Sequence, residues 1–111
     1  MNNLLFRLGA ISAASSVAIQ ALGGHKPWDV DRKFIFSKAF ELHITSALGM
    51  MLCSFRRSKA SNLAGLLLLA GSILFSGFAY YRCFNNDRKY NFLMPSGGGS
   101  IIIGWTILAL S

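Results

Sequence analysis

Nineteen consecutive residues, LAGLLLLAGSILFSGFAYY (Leu63–Tyr81), carry no charged side chain. As a helix rising about 1.5 Å per residue the run is roughly 28 Å long, close to the hydrocarbon thickness of a bilayer. Acyl chains offer the backbone no hydrogen-bond partners, so an apolar run of this length folds as a helix, which satisfies its own groups. The segment therefore sets the solvent in which the rest of the chain is read.

Three further segments fit the same solvent. LLFRLGAISAASSVAIQAL (Leu4–Leu22) holds one charge, Arg7, near its start. FSKAFELHITSALGMMLCSF (Phe36–Phe55) is polar at its beginning and apolar from Ile44 onward. GGGSIIIGWTILAL (Gly97–Leu110) is short for a span and would hold its glycines and Pro95 near one face of the bilayer. Composition agrees: of 111 residues, 53% are hydrophobic and 14% charged, against about 25% charged in an ordinary soluble domain. A soluble chain this small has proportionally more surface to cover and needs more polar side chains.

The connections are short. GGHKPWDVDRK (Gly23–Lys33) follows the first segment, with Gly23 and Gly24 ending a helix and Pro27 blocking its continuation. RRSKASN (Arg56–Asn62) forces the second and third segments into a tight antiparallel hairpin, and RCFNNDRKYNFLMPS (Arg82–Ser96) joins the third to the fourth. The expected fold is an all-α integral membrane protein. One domain, residues 1–111, holds four transmembrane helices (about 4–22, 36–55, 63–81 and 97–110) in an up-and-down bundle, with both termini on the same side.

Eleven Lys and Arg against four Asp and Glu give a net charge of +7. The basic residues fall in clusters between the apolar runs, as membrane flanks facing anionic lipid do. There is no basic stripe with interleaved exposed aromatics, so nucleic-acid binding is not expected. Arg7, Arg56, Arg57 and Lys59 belong to one face, and Lys26, Arg32, Lys33, Arg82, Arg88 and Lys89 to the other, with Asp29, Asp31 and Asp87. That balance does not decide orientation. Residues 1–20 lack acids and are rich in Ser and Ala, as import presequences and secretory signals are. Their single arginine and long apolar stretch favour a retained span.

Four polar residues near one face are the candidates for chemistry or for an interface. His25 and His43 lie toward the same end of adjacent segments, where two neutral imidazoles would suit a metal or haem. The alternative is that His25 caps a helix end while His43 sits among headgroups or bonds to a neighbouring helix. Lys38 and Glu41 are three residues apart and pair on a helix surface. Their position near the segment's start fits a charged collar at the interface better than a proton path.

Small residues point to helix packing. Gly9, Ala10, Ala13, Ala14 and Ala18 form a stripe on the first helix, and Ser72 with Ser76 form a similar pair on the third. Such spacing lets backbones approach closely where lipid removes the hydrophobic drive for association. Cys53 and Cys83 fall near opposite faces, beyond the roughly 7 Å Cα separation that a disulfide allows. Gly97–Gly99 lacks the Lys-Ser/Thr of a phosphate loop and reads as a loosened helix start with close backbone contact. No metalloprotease, nucleophile-elbow or CxxC pattern is present. Trp28, Tyr80, Tyr81, Tyr90 and Trp105 mark span ends, as an aromatic belt does. WDVDRKF and NNDRKYNF repeat an acid–Arg–Lys–aromatic pattern on one face. Trp28, Asp29, Asp31, Arg32, Asp87 and Arg88 in these loops are candidate docking residues for another protein.

RLGAISAAS, LGGH, KAFELHITSALGM, GLLLLAGSILFSGFAYY and PSGGGSIIIGW occur in the order seen in the transmembrane protein 256 family, which is grouped with bacterial proteins carrying domain of unknown function 423. The resemblance covers nearly the whole chain. Its most specific parts are Gly24-His25, Leu74–Gly77 with Tyr80, and Pro95, Gly97, Gly98, Gly104 and Trp105 at the end. Many members have a second histidine after the one matching His43, and Ile44–Ser46 offers none. The resemblance implies a four-helix membrane protein, mitochondrial in animals, with no established activity.

Together these readings give an expected function. The chain is expected to be a non-catalytic accessory subunit, without cofactor or soluble substrate, in the mitochondrial inner membrane. There it would pack against lipid and a larger, respiratory-chain assembly. The alternative is a small transporter or a binder of a lipid-like molecule such as quinone, with Glu41, His25 and His43 at its mouth.

Overall fold

The structure is a computed structural model that describes residues 3–56, 58–87, 89 and 91–111. Arg57, Arg88 and Tyr90, named above among the flanking, docking and belt residues, lie outside the described residues. Four helices make up nearly all of what is described. The first is Asn3–Gly23 and the second Val30–Phe55. The third runs over Lys59–Asn85 and the fourth over Asn91–Leu110.

Each helix outruns its apolar segment, and local chemistry explains where it stops. The second begins six residues before Phe36 because Asp29 caps it, its carboxylate accepting from the Arg32 N–H at 3.1 Å. Ser58 caps the third in the same way, accepting from the Ser61 N–H at 3.1 Å. That helix passes Tyr81 and ends at Asn85, where Asn86 takes a left-handed conformation at φ 51°. The fourth opens with a 3₁₀ turn, Asn91–Leu93, and carries Pro95 in its first α-helical turn. A missing N–H is not needed at that position. Gly97–Gly99 therefore lie inside this helix and are not the loosened start expected of them.

The first, third and fourth helices are long and apolar enough to cross a membrane. The second is not among them, because Asp31, Arg32, Lys33, Lys38 and Glu41 occupy its first half. Contacts between the helices fix their directions. Gly9 meets Ala47 and Met51, whereas Gly23 meets Phe36, so the first two helices run antiparallel. Gly49 meets Leu68 while Ser76 reaches Ala39, giving the same relation between the second and third. Gly71 meets Gly97 and Gly104 meets Ala64, which pairs the third and fourth antiparallel. The result is 44 × 26 × 17 Å, with the second and third helices inside.

Two apolar clusters hold this arrangement. Leu5, Met50, Cys53, Ala64, Leu68 and Ile101 pack toward the end that carries the termini. There Phe6 and Phe55 meet edge to face, and the Arg56 guanidinium donates to the Ser111 carbonyl. Phe36, Ala39, Ala79, Tyr80 and Cys83 pack toward the other end. Cys53 and Cys83 are free and belong to different clusters. Trp105, expected at a span end, instead packs against the first cluster beside Gly49.

The small-residue stripe faces differently from what its packing role requires within the bundle. Ala10, Ala14 and Ala18 are exposed and Ala13 is half-buried, whereas Gly9 is buried. The buried face of the first helix is Leu5, Gly9, Ser16 and Gly23, rotated from that stripe. Close approach is real at Gly9, where a Cβ would stand 2.8 Å from the Ala47 carbonyl oxygen. It is closest between the third and fourth helices. A Cβ on Gly97 would fall 2.5 Å from the Phe75 nitrogen, and one on Gly71 would fall 2.6 Å from the Gly97 oxygen.

Candidate functional site

His43 is 9% exposed and holds one group on each neighbouring helix. Its Nδ1 lies 3.0 Å from the Tyr80 hydroxyl on the third helix. Its Nε2 lies 3.0 Å from the Ser12 hydroxyl on the first. Antiparallel pairing on both sides is what brings residues 12, 43 and 80 to neighbouring levels. A neutral imidazole has one N–H and one acceptor nitrogen, so one hydroxyl donates to it and the other accepts from it. The three groups carry three polar hydrogens and form two hydrogen bonds. One hydroxyl hydrogen is always left over: that of Ser12 in one tautomer, that of Tyr80 in the other.

This chain borders a cavity of about 210 Å³. Ser12, His43, Ser72, Ser76 and Tyr80 give it polar groups, and Ile19, Leu69 and Ile73 give it apolar walls. Among the described residues no charged side chain lines it. The third helix loosens alongside into a π-helical stretch, Ile73–Gly77, which supplies Ile73, Ser76 and Gly77 to the lining. Such widened turns are rare and recur at functional positions. Ser76 donates to the Ala39 carbonyl at 2.8 Å and so ties the stretch to the second helix. The hydroxyl of Ser72, a residue 5% exposed, forms no hydrogen bond among the described residues. Tyr80, at the cavity's border, packs against Phe36, and Phe36 against Trp28 and Phe84. The cavity opens sideways, where Ile73 is 58% exposed and a Cβ on Gly77 would meet nothing within 4 Å.

Of the four polar candidates, only His43 belongs to this site. His25 is exposed beyond the end of the first helix, so the two imidazoles are not brought together as a ligand pair. Among the described residues no group of three or more His, Cys, Asp and Glu side chains is placed to hold a metal ion. Lys38 and Glu41 form an exposed ion pair at 3.3 Å, with the Lys38 ammonium 5.4 Å from the Phe34 ring centre. Ser72 and Ser76 are buried cavity residues. Nothing in the sequence marks Ser12, and the position of Tyr80 there suggests the interfacial belt. Because the third helix continues to Asn85, Tyr80 lies more than a turn inside it and is 8% exposed.

The proposed docking loops are partly consumed by the fold itself. Trp28 packs edge to face on Phe36 and Phe84, at 5.3 and 5.1 Å between ring centres. The Arg32 guanidinium lies 5.2 Å from the Trp28 ring centre and donates to the Cys83 carbonyl at 2.8 Å. The Cys83 thiol donates in return to the Arg32 carbonyl at 3.3 Å. Asp29 is the helix cap, and Asp87 accepts from Tyr81 and from the Lys89 N–H. Asp31 remains exposed. These residues knit the first connection to the end of the third helix, a role that a solvated-loop reading could not reveal.

Comparison with known proteins follows the same outline. The chain is 32% identical over 110 residues to a UPF0382 membrane protein of Staphylococcus epidermidis, covering 94% of this chain and 90% of the relative. It is 30% identical over 112 residues to the UPF0382 membrane protein YwdK of Bacillus subtilis, covering 94% and 91%. No solved structure matches it. A family model described as "Protein of unknown function (DUF423)" matches residues 7–98. The chain belongs to the DUF423 family, whose curated relatives are membrane proteins.

Proposed function

We propose that this chain is a four-span, non-catalytic membrane protein that serves as an accessory component packed against a larger membrane assembly. The second helix crosses with the other three, its charged first turns standing in the interface and Lys38 and Glu41 reaching out to it. Both termini then share one side. The location implied by family resemblance is the mitochondrial inner membrane, with a respiratory-chain assembly as the partner. The relatives named above are bacterial, and their membranes impose the same requirements on such a fold.

The observation that carries this reading is the outward face of the first helix. Only 17% of its apolar window is buried, against 44% for the third, and the exposed part includes Ala10, Ala14 and Ala18. A smooth small-residue strip turned away from its own bundle fits the backbone of another helix, where van der Waals contact drives association. The test is native complex profiling of mild-detergent extracts. The protein is expected to migrate with a large assembly at fixed stoichiometry, and Ala14→Leu is expected to release it without unfolding the bundle. Migration solely as a small free species would overturn the proposal. Of the residues expected at a transporter or quinone mouth, only His43 lines the cavity, and Glu41 and His25 stand outside it.

A further inference from the structure

We infer that the cleft beside His43 binds a neutral, lipid-soluble ring compound carrying carbonyl oxygens, the chemistry of a quinone. The inference goes beyond the accessory role and rests only on the helices lying in lipid. Three features of the cleft select this class.

Charge comes first. Among the described residues no Asp, Glu, Lys or Arg lines the cleft, so a charged ligand would lose its hydration there without a counter-ion. Size comes second. A cavity of about 150 Å³ lined by apolar side chains accommodates benzene, so about 210 Å³ takes a substituted six-membered ring. Hydrogen bonding comes third. Ser72 is 95% buried, borders the cleft and has no internal acceptor among the described residues. The Ser12–His43–Tyr80 chain adds one leftover hydroxyl hydrogen, whichever tautomer is present. Two donors without acceptors call for a ligand that accepts at two points, as ring carbonyls do.

The route of entry agrees. Tyr80, on the side nearest the connections, is packed into an aromatic group with Phe36, Trp28 and Phe84. The open side at Ile73 and Gly77 faces the apolar surroundings of the third helix. A molecule dissolved among acyl chains reaches the cleft directly, and a water-soluble one does not. The claim concerns binding alone and assigns no electron transfer.

The experiment is equilibrium binding of decylubiquinone to the full chain in phosphatidylcholine nanodiscs, followed by quenching of tryptophan fluorescence. Decylbenzene, a ring without carbonyls, is the control. Saturable binding of the quinone and none of decylbenzene is expected. Ser72→Ala removes a hydroxyl that bonds nothing inside the protein and should weaken binding about 5- to 10-fold, the worth of one neutral hydrogen bond, with no loss of thermal stability. Gly77→Leu places a side chain in open space at the mouth and should abolish binding while the fold remains intact. Non-saturable partitioning, equal binding of decylbenzene, or undiminished affinity in folded Ser72→Ala protein would each overturn the inference.

Discussion

The Tyr80 hydroxyl meets Nδ1 of His43 at 3.0 Å across the second and third helices, 37 residues apart in the chain. Neither group reaches water easily, so each depends on the other. Removing the hydroxyl with Tyr80→Phe leaves a ring nitrogen with no partner on that side. Interhelical hydrogen bonds in membranes contribute about 0.6 kcal/mol on average and up to about 1.7. A loss within that range is expected, read as a lowered thermal midpoint in detergent. Because Ser12 acts through the same imidazole, Ser12→Ala and Tyr80→Phe should combine non-additively. Additive losses would show that the three groups do not work as a chain.

The third and fourth helices touch backbone to backbone at Gly71 and Gly97. Gly97→Ala must push them apart, since its Cβ would sit 2.5 Å from the Phe75 nitrogen. A destabilisation of about 1–3 kcal/mol is expected, the usual range for overpacking. Gly98→Ala has open space around its Cβ and is expected to be neutral or to stabilise the helix by up to about 1 kcal/mol. Thermal unfolding of the two variants side by side checks the contrast, and equal effects would contradict it.

Ser46 is fully buried and its hydroxyl has no partner among the described residues. Such a group has given up hydration for nothing inside the protein, at roughly 1–3 kcal/mol. Ser46→Ala removes that penalty with little change in volume, and a raised thermal midpoint is expected. A marked fall would mean that the hydroxyl is bonded in the membrane, for instance through an ordered water.

Much of this fold was legible in the chain because lipid leaves a segment such as Leu63–Tyr81 few choices. The short connections then made neighbouring segments antiparallel, and the loop glycines and Pro27 marked the first break. Helix ends were less legible. Asp29 and Ser58 extend the second and third helices through polar residues that apolarity alone would discard. The site was hardest. Ser12, His43 and Tyr80 are unremarkable in their own helices and converge only once antiparallel pairing sets their levels. Facing was hidden too: Ala10, Ala14 and Ala18 share a stripe by spacing, but only tertiary contacts show that it looks outward.

The central claim is that the second helix, for all its charge, crosses the membrane with the other three. Single cysteines at Asn3, His25, Ser58, Asp87 and Ser111 test it most directly, labelled in sealed vesicles with a membrane-impermeant maleimide. Cys53 and Cys83 are buried and should stay silent. Positions 3, 58 and 111 are expected to react from one side, and 25 and 87 from the other. Finding 25 and 58 accessible from the same side would show that the second helix does not cross, and would contradict the four-span arrangement.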